Sequence, residues 1–192
     1  TLIVFAQLSY MRRQSLGEKT DQILVIKFPG PTEGMKTKME SMRRAIKKLP
    51  LASKVTCSGA VPGEEVAMFL SNHRAHDALK QNRLYEMLSC DPDYIDAYGL
   101  EVVAGRGFSE EYGDDVNKLV INETAARMLG YVDNDDAIGE EIAVETLGEP
   151  MQVIGVVKDY HQQALNKGYT GVMLFHKDKI DWIPQRYISV VM

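Results

Sequence analysis

Apolar positions in this chain fall mostly into short runs separated by Gly, Pro, Asn and Asp. Residues 35–49 break that habit. Met35, Met39, Met42, Ala45 or Ile46, and Leu49 recur at helical spacing, while Lys36, Lys38, Arg43, Arg44, Lys47 and Lys48 point elsewhere. This predicts an amphipathic helix packed on a sheet. Before it, residues 22–28 are rich in β-branched side chains and predict a buried strand, which Pro29-Gly30-Pro31 ends. After it, Pro50 stops the helix and residues 53–58 begin another strand. The first unit is therefore β-α-β, with a right-handed crossover if its strands are parallel. Further strands are predicted at 66–70 and 84–89, with polar residues 72–83 between them forming a loop that holds a turn of helix around 75–79.

Residues 91–131 are the most heavily punctuated stretch. Asp91 is a candidate N-cap for a two-turn helix over 92–98, with Pro92 at its first position and Gly99 closing it in the left-handed conformation. Residues 101–104 have strand character, and Gly105-Arg106-Gly107 turns the chain before Phe108 anchors it. Residues 118–121 predict a second strand, followed by Asn122 as N-cap, a helix to Leu129 and Gly130 as its stop. Downstream, 133–136 is a polar turn. Residues 141–145 and 151–157 read as a hairpin around 147–150, and strands at 172–175 and 187–192 flank a charged loop. The pattern as a whole predicts a mixed α+β fold.

The segments DPDYIDAYGLEVVAGRGF, LVINETAARMLGY, AIGEEI and VIGVVKDYHQQAL, in that order and at that spacing, resemble the extracytoplasmic core domain of MacB/FtsX-like ABC transporter permeases. The version is the one common in Bacteroidetes-type bacteria, and the likeness runs from about Gln7 to the end of the chain. It implies a larger, mixed-sheet lobe of β-α-β type (Porter-like) built from both chain ends, residues 17–91 and 150–192. A smaller α/β lobe (Sabre-like), residues 92–149, is inserted into it.

At 192 residues the chain is long enough for one domain or two small lobes, and 45% hydrophobic with 26% charged residues supplies an ordinary core. A net charge of −5 argues against a general nucleic-acid binder. No window reaches the roughly 18 apolar residues of a membrane span. The apolar run 1–6 reads equally as a buried element or as the outer end of a transmembrane helix. The resemblance favours the second, making residues 1–16 the end of a membrane or stalk helix, with 7–16 helical and Gly17 its stop. No secretory signal is visible.

Candidate chemistry is sparse. Cys57 and Cys90, 33 positions apart, carry neither a CxxC nor metal spacing and read as buried thiols, with a disulfide left open. His73 and His76 would share a face only if 72–79 were helical, and with Asp77 they fall short of a zinc set. His161 stands at a strand end without a nucleophile motif, and the resemblance makes that segment a structural corner. The acidic run 133–136 lacks the calcium-loop glycine, having Ala137 and Ile138 where the pattern continues. Gly105-x-Gly107 is followed by Glu110 rather than a third glycine, and no P-loop occurs. The six cations of 35–49 form a solvated face, with anionic lipid the better alternative partner. No catalytic, cofactor or metal residue is therefore assigned.

The resemblance implies a non-enzymatic periplasmic domain of a bacterial inner-membrane permease, with membrane helices flanking it. It implies a separate cytoplasmic ATP-binding subunit, a second permease copy or half, and a periplasmic or outer-membrane partner. Closure driven by ATP would travel through the helix before the domain, in the manner called mechanotransmission, to export or extract a substrate or regulate a partner. A stand-alone extracytoplasmic binding or sensor module is the alternative, and a deep apolar pocket would favour it.

Overall fold

In the computed structural model, residues 22–30, 34–66, 68–77, 83–164, 166–180 and 182–192 are described. The expectations for residues 1–21, including the stalk helix, lie outside them, as do 78–82. The elements are β1 (Ile23–Lys27), α1 (Met35–Ile46), β2 (Lys54–Ser58), β3 (Phe69–Arg74), β4 (Arg83–Cys90), α2 (Tyr94–Ala97), β5 (Val102–Gly105), β6 (Lys118–Asn122), α3 (Glu123–Met128), β7 (Glu141–Val144), β8 (Met151–Val157), β9 (Val172–His176) and β10 (Tyr187–Val191). All ten strands join one mixed sheet, so the fold is α+β as the pattern predicted.

The strand order is β1-β10-β2-β4-β3-β7-β8-β6-β9, β9 also pairs with β4, and β5 is added to β8. Six strands, β4-β3-β7-β8-β6-β9, therefore close into a ring, and β2, β10 and β1 extend from β4 as an open limb. The limb is antiparallel throughout, which leaves β1 and β2 parallel to each other with β10 between them. The ring is mixed, with β4–β9 and β6–β8 parallel.

Both faces of the central ring strands are buried. Tyr85, Met87, Leu119, Ile121, Met173 and Phe175 lie in one apolar cluster with Ala125 and Ala126 of α3. Leu88, Cys90, Val120, Val172 and Leu174, from alternate positions, lie in a second with Tyr94, Ile95 and Tyr98. That is why LVI and VMLF read as unbroken apolar runs rather than alternating ones. A third, smaller cluster joins Met39 of α1 to Val55, Cys57, Ile188 and Val190 of the limb.

Three local expectations change. Among the described residues the first strand lies at the edge of the sheet rather than inside it, with Leu24 50% and Val25 41% exposed. Strand β3 starts at Phe69 rather than Val66 and continues through Arg74, because β7 pairs with Asn72, His73 and Arg74 and holds that polar stretch extended. The helix after Asp91 begins at Tyr94, whose N–H donates to the Asp91 backbone carbonyl at 3.2 Å. The Asp91 side chain is used elsewhere. Gly99, at φ +60°, does close the helix, with the Leu100 N–H reaching Ile95 O at 2.8 Å.

Candidate functional site

The segments singled out in the sequence are brought together as charged ties that lock corners of the sheet. At the first, Asp91 is fully buried. It accepts from the Thr56 hydroxyl and from the Cys57 N–H at 2.9 Å, and Arg43 Nε lies 3.1 Å away. Arg43 also reaches Asp93 at 2.8 Å, and Lys47 meets the same carboxylate at 2.7 Å. Two of the six cations of residues 35–49 are thus spent on docking the helix to β2 and to the turn before α2. Burial raises the Asp91 carboxyl above its ordinary range, against the opposing pull of Thr56, Arg43 and the Cys57 amide.

The cysteines beside this tie are free buried thiols. Burial, with the nearby Asp91 charge, pushes the Cys57 thiol up to about 12 and raises the fully buried Cys90 as well. Protonated, inaccessible thiols are neither nucleophiles nor metal ligands.

The second corner joins LVINETAARMLGY to VIGVVKDYHQQAL. Asn122 caps α3 as predicted, accepting from the Ala125 N–H at 2.9 Å, and the same oxygen accepts from the Val172 N–H at 2.8 Å. Its amide donates to Asp159 at 2.9 Å and to the Thr170 carbonyl at 2.8 Å. Asp159 in turn accepts from the Thr124 N–H and hydroxyl, each at 2.8 Å, and from Arg127 at 2.6 Å. Beyond it, Gln162 donates to the carbonyls of Val61 and Glu64 at 2.9 Å each, and Gln163 donates to buried Glu86. His161 stacks on Tyr169, ring centroids 4.6 Å apart. The segment is a corner held from both sides.

The third is Arg106, paired with Asp115 through both terminal nitrogens at 2.7 Å and lying 4.0 Å from the Tyr112 ring centre. Burial by itself would raise Asp115. The Arg106 hydrogen bond, the Ser109 N–H and the Arg106 charge together outweigh it and hold the carboxyl below its ordinary value. Such a carboxyl stabilises the fold fully above its unfolded pKa of about 3.9, and the contribution is lost as pH falls through the lowered folded value. Asp115→Asn is therefore expected to cost about 1–3 kcal/mol at pH 7. The gap from the parent should close below about pH 4. Urea denaturation between pH 3 and pH 7 reads this, and a gap independent of pH would contradict the assignment.

The remaining candidates stay apart. His73 sits in β3 and His76 in the following turn, 3.4 Å from Glu141, so they share no helix face. Among the described residues no three potential metal ligands cluster. The run 133–136 folds into a 3-10 turn in which the Asp135 N–H donates to the Asp133 carboxylate at 3.2 Å. At Gly105-x-Gly107 the pairing with β8 continues where the sequence suggested a turn: Gly105, at φ +64°, ends β5 opposite Gly155, and the Arg106 N–H donates to the Ile154 carbonyl at 2.9 Å. Beside this pairing runs an open groove of about 400 Å³ lined by Arg106, Ile138, Gln152 and Ile154 among others. Sequence reasoning passed over Asp115, one of several acids in an ordinary polar stretch, and Glu86, an isolated acid in an apolar one.

The two ends of the described domain also meet. Ile23 pairs with Val191 in the β1–β10 ladder, and the Met192 N–H donates to the Gln22 carbonyl at 3.0 Å. No helix among the described residues is long and apolar enough to cross a membrane.

A family model described as MacB-like periplasmic core domain matches residues 1–191. No curated protein matches the chain. The fold is similar to that of the periplasmic region of MacB from Actinobacillus actinomycetemcomitans, at 16% identity and a TM-score of 0.62 over 95% of this chain and 79% of that one. It is also similar to a domain of a putative permease from Porphyromonas gingivalis, at 20% identity and 0.58 over 89% and 74%. The extracellular domain of the noncanonic ABC-type transporter YknZ from Gram-positive bacteria matches at 17% and 0.57 over 86% and 80%.

Proposed function

Because this chain belongs to the family of MacB-like periplasmic core domains, we propose that it couples ATP hydrolysis in the cytoplasm to conformational change outside the inner membrane. Membrane helices flank it on this reading. A separate ATP-binding subunit supplies hydrolysis, and a second permease copy or half completes the assembly. The work done outside is export or extraction of a substrate, or regulation of a periplasmic or outer-membrane partner.

The observation that carries the proposal is the pairing of the domain's two ends. The five-residue β1–β10 ladder binds the incoming strand to the outgoing one, and β10 passes the connection to β2. A displacement applied at Ile23 is thereby shared with Val191 and handed into the ring through β4. Buried Asp91, clamped by Arg43, keeps α1 moving with the same strands. Residues 17–91 and 150–192 form one lobe on this reading, and 92–149, with β5, β6, α3 and β7, form the inserted one.

A nitroxide at Val132→Cys tests the coupling, since Val132 is 99% exposed whereas both native thiols are buried. In the full permease with its ATP-binding subunit, the label-to-label distance between paired copies is expected to differ between ATP-trapped and ADP states. Two glycines inserted between Gln22 and Ile23 should abolish that difference while hydrolysis continues. A distance indifferent to nucleotide in an actively hydrolysing assembly would sink the proposal.

A further inference from the structure

We propose that the loop joining α1 to β2 is a membrane contact that seats the domain on anionic lipid headgroups. The inference rests on the reading just given, in which membrane helices continue from the two ends of the domain.

Leu49 and Leu51, on either side of Pro50, are 56% and 79% exposed, although each carries a large apolar side chain. The loop that presents them is built. The Leu49 N–H donates to the Ile46 carbonyl at 2.9 Å and the Ala52 N–H to the Leu49 carbonyl at 3.0 Å. Ser53 ties the loop's far side to the Val191 carbonyl, through its N–H at 2.8 Å and its hydroxyl at 3.0 Å. The leucines are held outward by this frame.

The same bonds fix where the loop stands. Lys54 pairs with Val191, and Val191 pairs with Ile23. The loop, the way into β1 and the way out of β10 therefore share one end of the sheet. If membrane helices leave from that end, the leucines face the bilayer surface.

Charge fits the same surface. Residues 43–54 contain Arg43, Arg44, Lys47, Lys48 and Lys54 and no acid. In space, Asp91 and Asp93 take Arg43, Asp93 also takes Lys47, and Asp96 takes Lys54. Five cations against three carboxylates leave two positive charges beside the leucines. A groove of about 220 Å³ lined by Lys47, Ser53, Lys54 and Asp93 opens at the loop's foot. A pair of apolar side chains with a cationic rim is the composition of an interfacial anchor, in which leucines enter the headgroup boundary and lysines meet phosphates.

The test uses the 192-residue chain carrying an environment-sensitive fluorophore at Leu51→Cys, with the same label at Val132→Cys for comparison. Vesicles of phosphatidylglycerol are expected to blue-shift the label at 51 and leave that at 132 unchanged, and phosphatidylcholine vesicles should shift neither. Adding Lys48→Glu should weaken the phosphatidylglycerol response at least about tenfold. No shift at 51, an equal shift at 132, or a response that Lys48→Glu leaves intact would overturn the inference. The nucleotide-dependent distances judge the underlying reading separately. If they respond while residue 51 ignores lipid, the contact alone is wrong. If residue 51 responds to lipid where the distances do not respond, the contact stands without the coupling.

Discussion

Replacing Asn122 by alanine is expected to destabilise the domain by about 3–5 kcal/mol. The side chain is wholly buried and makes four hydrogen bonds at 2.8–2.9 Å, to α3, β9, Thr170 and Asp159. Loss of the cap costs about 1 kcal/mol. The Val172 N–H is then left buried without its partner, at about 1–3 kcal/mol, and the part-buried Thr170 carbonyl loses its donor, at about 1 kcal/mol. Thermal melting should fall on the order of 10 °C for a chain of this length. Asn122→Asp separates the terms, because it keeps both acceptor roles, loses the donors and places a second carboxylate against Asp159. That variant should be at least as unstable at neutral pH and recover partly on acidification, when a protonated carboxyl can donate again. Urea denaturation of the two variants across pH measures this. An alanine variant within about 1 kcal/mol of the parent would mean that the corner is not what joins β6, β8 and β9.

Gly155→Ala should be worse still, costing more than about 4 kcal/mol or preventing folding. A Cβ at this position would stand 2.0 Å from the Arg106 carbonyl oxygen and 2.9 Å from its carbon. The obstacle is backbone, which cannot rotate away as a side chain can, and it is symmetrical. A Cβ at Gly105, where φ is already +64°, would meet the Ile154 carbonyl oxygen at 2.2 Å. The β5–β8 crossing therefore requires glycine on both strands. Gly113→Ala, with nothing within 4 Å of its Cβ, serves as the comparison and should stay within about 0.5 kcal/mol of the parent. Normal melting of the Gly155 variant would show that the strands cross further apart.

Most strands, both helix stops and the Asn122 cap were legible because each is written in adjacent residues. What escaped depends on partners distant in sequence. Asp91 has the composition of a helix cap, yet Arg43, 48 positions earlier, and Thr56 draw its carboxylate into the interior. Asn72 sits in a stretch polar enough to read as loop, but β4 and β7 flank it and its amide donates to the Met173 sulfur at 3.2 Å. The run 22–28 has the residues of a buried strand, and nothing local says that among the described residues β10 is its one strand neighbour. Ring closure was equally hidden, because it rests on parallel pairing of Glu86 with Val172. Of the candidate site, the motifs that carried the resemblance were legible, and their meaning as facing halves of one corner, Asn122 against Asp159, was not.

The place of β10 sets the order in which this chain can be made. Strands β1 and β2 come from the first third of the sequence, but their mutual sheet neighbour is the last strand of all. Until residue 191 has emerged, β1 has no described strand partner, and the only ladder pair of β2 among the described residues is Ser58 with Cys90. At the ordinary pace of synthesis, roughly 5–20 residues per second, the edge of β2 stays open for about 7–27 seconds and that of β1 slightly longer. The ring itself closes only once β9, residues 172–176, has emerged, so both limb edges stay open for most of the domain's synthesis and are covered together when its last strand arrives.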